Sequence, residues 1–132
     1  MKIVVVVDAN VIISAILGGK SCSILFDNRF SFVTASFTID EVKKYLPHLS
    51  AKIRVHRRTL TALLKKLPTL IYKKNFYKGN LREAVRTIGE IDAKDVDILA
   101  LALKLETYLW SQNKDFETCG YPKILKTYNF IG

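Results

Sequence analysis

The sequence predicts an α/β fold: a single-domain α/β/α sandwich over residues 1–132, with a central, mainly parallel sheet. The first observation is the run Val4–Val7, because four successive valines suit a strand that is buried on both faces. The second is the alternation of strand-like and helix-like segments along the chain. The third is size and composition, since 132 residues with 49% apolar and 25% charged residues can bury a core, and no Pro/Gly/Ser-rich linker divides them.

The first half of the chain contains two predicted strands and several helices. Asn10 is expected to cap the first helix, and Gly18 follows its end. Pro47 is expected to end the third helical segment, and Ser50 to cap the next one. The predicted elements are a strand over Lys2–Val7, a helix over Val11–Leu17, a helical segment over Ser21–Asn28, a strand over Phe30–Ala35, a helix from Thr38 or Ile39 to the residue before Pro47, and a long helix over Ala51–Leu67.

The second half alternates in the same way. Gly89 is expected to stop one helix and Asp92 to open the next, which is apolar almost all round and should be deeply buried. The predicted elements are a strand over Leu70–Lys73, a helix over Leu81–Ile88, a helix from Asp92 through Leu105, a strand over Tyr108–Trp110, a helical turn over Lys114–Thr118, and an edge strand over Lys123–Lys126.

The net charge of +9 is unevenly distributed. Between Val42 and Arg82 there are 12 Lys or Arg residues and no Asp or Glu. A basic middle flanked by acidic motifs favours a polyanion that lies across a carboxylate site; the alternative is a solvated basic surface without a partner. The aromatic residues between the lysines of Tyr72–Lys78 would stack on unpaired bases, or Phe76 would pack in the core.

Several classes of protein are poorly supported. The chain lacks a stretch of about 18 apolar residues, and its N-terminal apolar run is a strand rather than a secretion signal. Cys22 and Cys119 are too few for a disulfide framework or a zinc site, which favours a cytoplasmic protein with two buried thiols; a single disulfide between them is the alternative. With only His48 and His56, neither histidine-rich metal sites nor Ser-His-Asp hydrolysis is indicated.

Acidic residues recur at strand ends and helix starts. Asp8 follows the first strand, Glu41 is expected in the first turn of a helix, and Asp95 lies at the start of the buried helix. If these termini face one edge of the sheet, the carboxylates converge. Two carboxylates about 5 Å apart repel by roughly 3 kcal/mol at an effective dielectric constant of 20. Convergence therefore requires a cation, and oxygen ligands without Cys or His favour Mg²⁺ or Mn²⁺.

Each acid also has a purely local explanation. Glu41 would complement a helix dipole, and Asp92 with Asp95 matches a helix-capping arrangement. Asp97 is expected to face solvent, and Asp115 would cap or pair locally.

Four segments carry a resemblance to a known family: VVVVDANVIISA, FTIDEVKKYL, IDAKDVDILALALKL and YLWSQNKDF. Their order and spacing resemble the PIN domain family of metal-dependent ribonucleases over nearly the whole chain. The last two are the most specific, and they resemble the VapC-like toxins of toxin–antitoxin pairs.

The resemblance implies a set of functional residues. Asp8, Glu41 and Asp95 would be the catalytic ligands of one or two Mg²⁺ or Mn²⁺ ions, with Asp115 as a further ligand. Many relatives carry Asp where this chain has Asn113. The implied supporting residues are Asn10, Asp92, Ser111 and Asn113, and the residues expected to hold RNA phosphates are Lys43, Lys44, Arg57 and Arg58.

The implied function is hydrolysis of RNA phosphodiester bonds by an endoribonuclease, as the toxin of a pair whose antitoxin would be its partner; homodimers are common among such domains. The strongest alternative is a non-catalytic RNA-binding or complex-forming module with a degenerate acidic site, which the charge and Asn113 both permit. A haloacid dehalogenase type of phosphohydrolase needs Asp-x-Asp after the first strand, where this chain has Asp8-Ala9-Asn10. A response-regulator receiver needs an Asp after a later strand, and FSFVTASF lacks one.

Overall fold

A five-stranded sheet forms the centre of the protein. The computed structural model describes residues 2–88 and 94–131. The strand order is β3-β2-β1-β4-β5, and all four neighbouring pairs run parallel, which confirms the predicted α/β class. The strands are β1 (Ile3–Val7), β2 (Phe30–Ala35), β3 (Thr69–Tyr72), β4 (Tyr108–Trp110) and β5 (Ile124–Leu125).

Helices cover both faces of this sheet. Besides the helices, the chain has short 3₁₀ turns at Lys78–Asn80, Lys114–Glu117 and Thr127–Phe130. The helices are α1 (Ala9–Ile16), α2 (Lys20–Leu25), α3 (Ser36–Ile53), α4 (Arg57–Lys66), α5 (Lys74–Tyr77), α6 (Leu81–Ile88) and α7 (Lys94–Leu105).

The valines of β1 divide between two cores. Val5 and Val7 pack with α1 to α4 on one face, whereas Val6 packs with α5 to α7 on the other. Each of these three side chains is fully buried, as expected when successive side chains of a central strand point to opposite faces. The valine run therefore holds both helical layers on the sheet and fixes the position of the residue that follows it.

The carboxyl ends of the three central strands lie at one edge. Val7 pairs with Trp110 of β4, and Val6 pairs with Val33 of β2. The Thr34 hydroxyl donates a 2.8 Å hydrogen bond to the Val7 carbonyl and ties the ends of β1 and β2 together. Asp8, Ser36 and Ser111 follow these strands directly, so the chain leaves the sheet three times at the same edge.

Pro47 does not end a helix, contrary to the sequence-based prediction. Helix α3 continues through it to Ile53. The reason lies in the buried face: Val42, Leu46 and Leu49 are spaced so that all three pack into one core. Burial of each such side chain is worth roughly 1.5–3 kcal/mol, and together they exceed the roughly 3 kcal/mol that a helix-interior proline costs.

The loop between α3 and α4 also differs from the prediction of one long helix from Ala51. Helix α3 ends at Ile53, and the next residue, Arg54, is its C-cap, with a φ of 57° in the left-handed region. Ser50 does not cap a helix, since its hydroxyl donates to the Val55 carbonyl at 2.6 Å. His56 caps α4 instead, with Nδ1 accepting from the Arg58 amide.

Cys22 and Cys119 are free and partly buried, and they pack against different cores on opposite faces of the sheet. The predicted stop at Gly89 and the predicted cap Asp92 lie outside the described residues. Among the residues described, no helix has the length and apolar character that crossing a bilayer requires.

Candidate active site

Asp8 and Ser111 lie side by side because they follow neighbouring parallel strands. The Asp8 amide donates to the Trp110 carbonyl at 3.0 Å, which extends the pairing of β1 with β4 by one step. The Ser111 hydroxyl then donates to Asp8 Oδ2 at 2.6 Å. Ser111 is fully buried, so this hydrogen bond is shielded from water and fixes the position of the Asp8 carboxylate relative to β4.

Asp8 also begins helix α1. Its extended backbone and its Oδ1, which accepts from the Ala9 amide at 2.7 Å, make it the N-cap. The prediction that Asn10 caps a helix from Val11 is therefore wrong. The helix begins two residues earlier, at Ala9, and the Asp8 carboxylate at the strand end caps it. Since both oxygens accept a hydrogen bond, the Asp8 carboxylate has a fixed orientation.

Asn10 instead contacts the loop after β4. Its Nδ2 donates to Ser111 Oγ at 3.5 Å, and its Oδ1 accepts from the Gln112 amide at 3.3 Å. The Asn113 amide donates to the same Ser111 oxygen at 3.0 Å. Ser111 thus donates to a carboxylate while it accepts from two nitrogens, which uses the full capacity of a hydroxyl.

Asn113 connects this group to Asp95 of α7. Its Nδ2 donates to Asp95 Oδ2 at 3.1 Å, and its Oδ1 accepts from the Asp115 amide at 3.0 Å. These two contacts define the orientation of the side-chain amide, because a flip would bring oxygen against carboxylate and NH₂ against N–H. A continuous hydrogen-bonded path therefore runs Asp8–Ser111–Asn113–Asp95, and Asp115 joins it through its backbone.

Glu41 lies next to this path, close to the residue before Asp95. Helix α3 starts at Ser36, so Glu41 is in the second turn and not in the first, as the sequence had predicted. Its Oε2 is 4.0 Å from the ammonium of Lys94, the residue before Asp95. Asp92, the other predicted supporting acid, lies outside the described residues.

Asp97 was expected to face solvent, and the structure contradicts this. The side chain is buried, and the Tyr77 hydroxyl donates to its Oδ2 at 2.6 Å. Burial, followed by the hydrogen bond to Asp97, raises the pKa of the Tyr77 phenol. The sequence contained a signal, since Asp97 directly precedes the apolar run Ile98–Ala102, in which every residue is buried.

The four predicted RNA-binding residues separate into two places. Lys44 lines a hollow with Glu41 and Lys94, next to the acidic path. Lys43, Arg57 and Arg58 line a different hollow between α3 and α4, around Leu46 and Pro47. Because residues 43 and 44 are about 100° apart around a helix, adjacent lysines belong to different surfaces.

The aromatic–lysine segment around β3 and α5 is divided as well. The rings of Tyr72 and Phe76 stack on each other, with centroids 4.4 Å apart, and Lys104 lies over the Phe76 ring. Tyr77 is fully buried in the core. Phe76 is exposed, so the alternative prediction that it packs in the core is wrong.

The site has an all-oxygen character that suits a hard divalent cation. Asp8 and Asp95 are 7% and 6% exposed, and each accepts a hydrogen bond from a neutral side chain, Ser111 and Asn113 respectively. Considering only residues 2–88 and 94–131, no three His, Cys, Asp or Glu side chains form a metal-binding group. Mg²⁺ commonly uses one or two carboxylates and completes its coordination with water and substrate phosphates, so two carboxylates fit such an ion.

Comparison with known proteins places the chain in context. The sequence model described as PIN domain matches residues 6–129. The crystal structure of VapBC2 from Rickettsia felis bound to a DNA fragment from their promoter contains a similar chain, with a TM-score of 0.70 and 16% identity, covering 94% of this chain and 98% of that one. A toxin–antitoxin complex from Klebsiella pneumoniae gives a TM-score of 0.61 and 22% identity, with the same coverage. These identities show a shared fold, and no curated protein sequence matches the chain significantly.

Proposed function

This chain belongs to the PIN domain family, and on that premise we propose that it is a metal-dependent endoribonuclease that hydrolyses RNA phosphodiester bonds. The observation that carries the proposal is the hydrogen-bonded path Asp8–Ser111–Asn113–Asp95 at the carboxyl edge of the sheet. Ligands of open α/β sheets bind at this edge. The two nearly buried carboxylates at this edge offer oxygen ligands of the kind that a hard divalent cation prefers.

Asp8 and Asp95 would hold the ion, with Glu41 and Asp115 as further ligands, and Mg²⁺ or Mn²⁺ matches their oxygen atoms. When bound, such an ion lowers the pKa of a coordinated water and stabilises charge on the leaving oxygen. The protein's own contribution is to orient the carboxylates in advance: Ser111 fixes Oδ2 of Asp8, and Asn113 fixes Oδ2 of Asp95. Asn10 supports them by holding the Gln112 amide, and Asp92 would support Asp95 from the preceding residues.

The basic residues would bind the flanking RNA. Lys44, beside Glu41, is suited to a phosphate close to the scissile bond. Lys43, Arg57 and Arg58 line the neighbouring hollow and would attract phosphates farther along the strand.

The biological role follows by analogy with the similar structures, one of which is a toxin–antitoxin complex and another VapBC2. We propose that this chain is the toxin component of such a pair in the cytoplasm, with a cognate antitoxin protein as its partner and a homodimer as its assembly. No membrane partner is proposed.

The test is cleavage of a labelled single-stranded RNA with Mn²⁺, with Mg²⁺ and with EDTA. Asp8→Asn keeps the shape and the cap of α1 but removes the charge, so we expect it to abolish cleavage. Asp40→Asn, an exposed neighbour on α3, removes the same charge and should leave cleavage unchanged. Binding of Mn²⁺, followed by electron paramagnetic resonance, should weaken in Asp8→Asn and persist in Asp40→Asn. Cleavage that survives in EDTA or in Asp8→Asn would contradict the proposal.

A second candidate function is a non-catalytic RNA-binding module. The observation in its favour is that Asn113 contributes a neutral donor to Asp95 where a carboxylate would strengthen metal binding. RNA binding without cleavage under any metal, and without measurable Mn²⁺ binding, would favour this candidate.

A further inference from the structure

One face of α3 combines aromatic rings with positive charge. Phe37, Lys44, Tyr45 and His48 are spaced at i, i+7, i+8 and i+11, which brings them to the same side of the helix. The rings of Tyr45 and His48 lie 5.2 Å apart. Phe37 lies in the first turn of α3, at the carboxyl edge of the sheet, and its side chain is 37% exposed. We call these four residues the α3 stripe.

The α3 stripe meets the acidic site at its N-terminal end. Phe37, Lys44 and Tyr45 line a hollow of about 340 Å³ together with Glu41 and Lys94. Glu41 is itself one of the proposed ligands, and Lys94 lies in the same first turn of α7 as Asp95, so a molecule in the hollow contacts the margin of the proposed metal site. From there the stripe leads away along α3 to His48, which is exposed.

The chemistry of this surface differs from that of the other basic hollow. An exposed ring offers a face on which a base stacks, and the ammonium groups of Lys44 and Lys94 offer contacts for phosphates. The hollow around Pro47 has cations but no aromatic ring among its lining residues, so it attracts phosphates without contacting bases. Stacking on a side chain requires an unpaired base, because the bases of a duplex already stack on each other.

We propose that the α3 stripe is the binding site for an unpaired RNA segment that enters the acidic site from the direction of His48. The proposal rests on the proposed function and adds to it the surface along which the RNA approaches the carboxylates. Phe37 stacks on a base beside the carboxylates, and Lys44 contacts the adjoining phosphate.

The experiment measures binding separately from cleavage. Fluorescence anisotropy of a labelled 12-nucleotide single strand is recorded in EDTA over a series of salt concentrations, and the same strand is tested as a duplex. Phe37→Leu keeps an apolar side chain and removes the ring; Lys44→Gln removes the charge. The matched controls are Phe26→Leu, from an exposed ring near the strand starts at the opposite edge of the sheet, and Lys20→Gln, from the exposed start of α2.

We expect Phe37→Leu to weaken binding of the single strand about tenfold, as loss of one stacked base predicts. Lys44→Gln should reduce the slope of log affinity against log salt by about 0.7, the value for one phosphate contact on a single strand. Phe26→Leu and Lys20→Gln should change neither quantity by a comparable amount. Thermal melts exclude unfolding, and if Phe37→Leu were unfolded, the salt slope of Lys44→Gln would decide.

Several results would overturn the proposal: equal effects of the stripe variants and their controls, a duplex bound as tightly as the single strand, or no binding at all. Its failure is distinguishable from failure of the nuclease function. If the stripe variants bind normally while Asp8→Asn abolishes metal-dependent cleavage, the α3 stripe is not the RNA site and the proposed function stands.

Discussion

Replacement of Asn113 by Asp tests how close the loop after β4 comes to Asp95. The variant exchanges an N–H donor, 3.1 Å from Asp95 Oδ2, for a second negative charge. Two unit charges at that distance repel by about 5 kcal/mol at an effective dielectric constant of 20. Because Asn113 is partly exposed, relaxation and solvent reduce this, and we expect a repulsion of about 2 kcal/mol.

The control is Asn113→Ala, which also removes the donor to Asp95 and adds no charge, but which removes the acceptor of the Asp115 amide as well. Loss of that second hydrogen bond costs the Ala variant about 1 kcal/mol. In EDTA at pH 7 we therefore expect Asn113→Asp to unfold at a temperature about 4 °C below Asn113→Ala, since the remaining difference of about 1 kcal/mol corresponds to about 4 °C for 132 residues. Excess Mn²⁺ should reverse the order, because a cation bound between the two carboxylates stabilises the folded state by about 2.7 kcal/mol at a hundred times its Kd.

Acid gives an independent check on the same variant. The neighbouring carboxylate raises the folded-state pKa of the introduced Asp above its unfolded value of about 3.9. The destabilisation is therefore present above the folded-state pKa and disappears as the pH falls below about 3.9. If the Asp and Ala variants have the same melting temperature in EDTA at pH 7, the residue at 113 does not lie against Asp95 and the reasoning is refuted.

Two other substitutions test a buried hydrogen bond and the proline inside α3. Tyr77→Phe removes the donor to buried Asp97 Oδ2 and should lower the free energy of unfolding, measured in urea, by about 1.5–3 kcal/mol. The control Tyr128→Phe, at an exposed tyrosine, should change that free energy by less than about 0.5 kcal/mol. Similar losses in the two variants would contradict the hydrogen bond between Tyr77 and Asp97. Pro47→Ala restores a backbone N–H donor inside α3 and should raise the free energy of unfolding by about 1–3 kcal/mol with an unchanged m-value. A lower free energy of unfolding would show that Pro47 stabilises α3 and would contradict this reasoning.

The strands were the most predictable part of this fold. β2 and β4 have the bounds that the sequence predicted, Phe30–Ala35 and Tyr108–Trp110, because β-branched and aromatic runs end there at polar residues or turns. The valine run correctly predicted a central strand with an acid at its carboxyl end. These features depend on local pattern alone.

The helical hairpin after β2 was mispredicted because a local rule met a larger tertiary effect. Pro47 disfavours helix, but the side chains of Leu46 and Leu49 gain more by packing in the core than the missing hydrogen bond costs. A single sequence does not reveal how well those side chains will fit, and so it does not reveal which effect dominates.

The acidic site shows the same division. The strand-end position of Asp8 and the helix-start position of Asp95 could be read from the sequence, whereas the contacts that link them, through Ser111 and Asn113, depend on tertiary structure. The separation of Lys43 from Lys44 was accessible in principle, since both lie in a segment correctly predicted to be helical and their directions differ by about 100°.

The pairing of β1 with β4 has a consequence for the order of events during protein synthesis. Val5 pairs with Tyr108, so the two strands that carry Asp8 and Ser111 are separated by most of the chain. During translation, the edge of β1 that pairs with β4 stays unpaired until β4 has been synthesised. Every fragment that stops before Tyr108 also lacks Ser111 and Asn113. Contacts this distant in sequence form slowly. A ribosome therefore releases a chain whose carboxylates become linked only at a late stage, and incomplete chains cannot assemble the Asp8–Ser111–Asn113–Asp95 path.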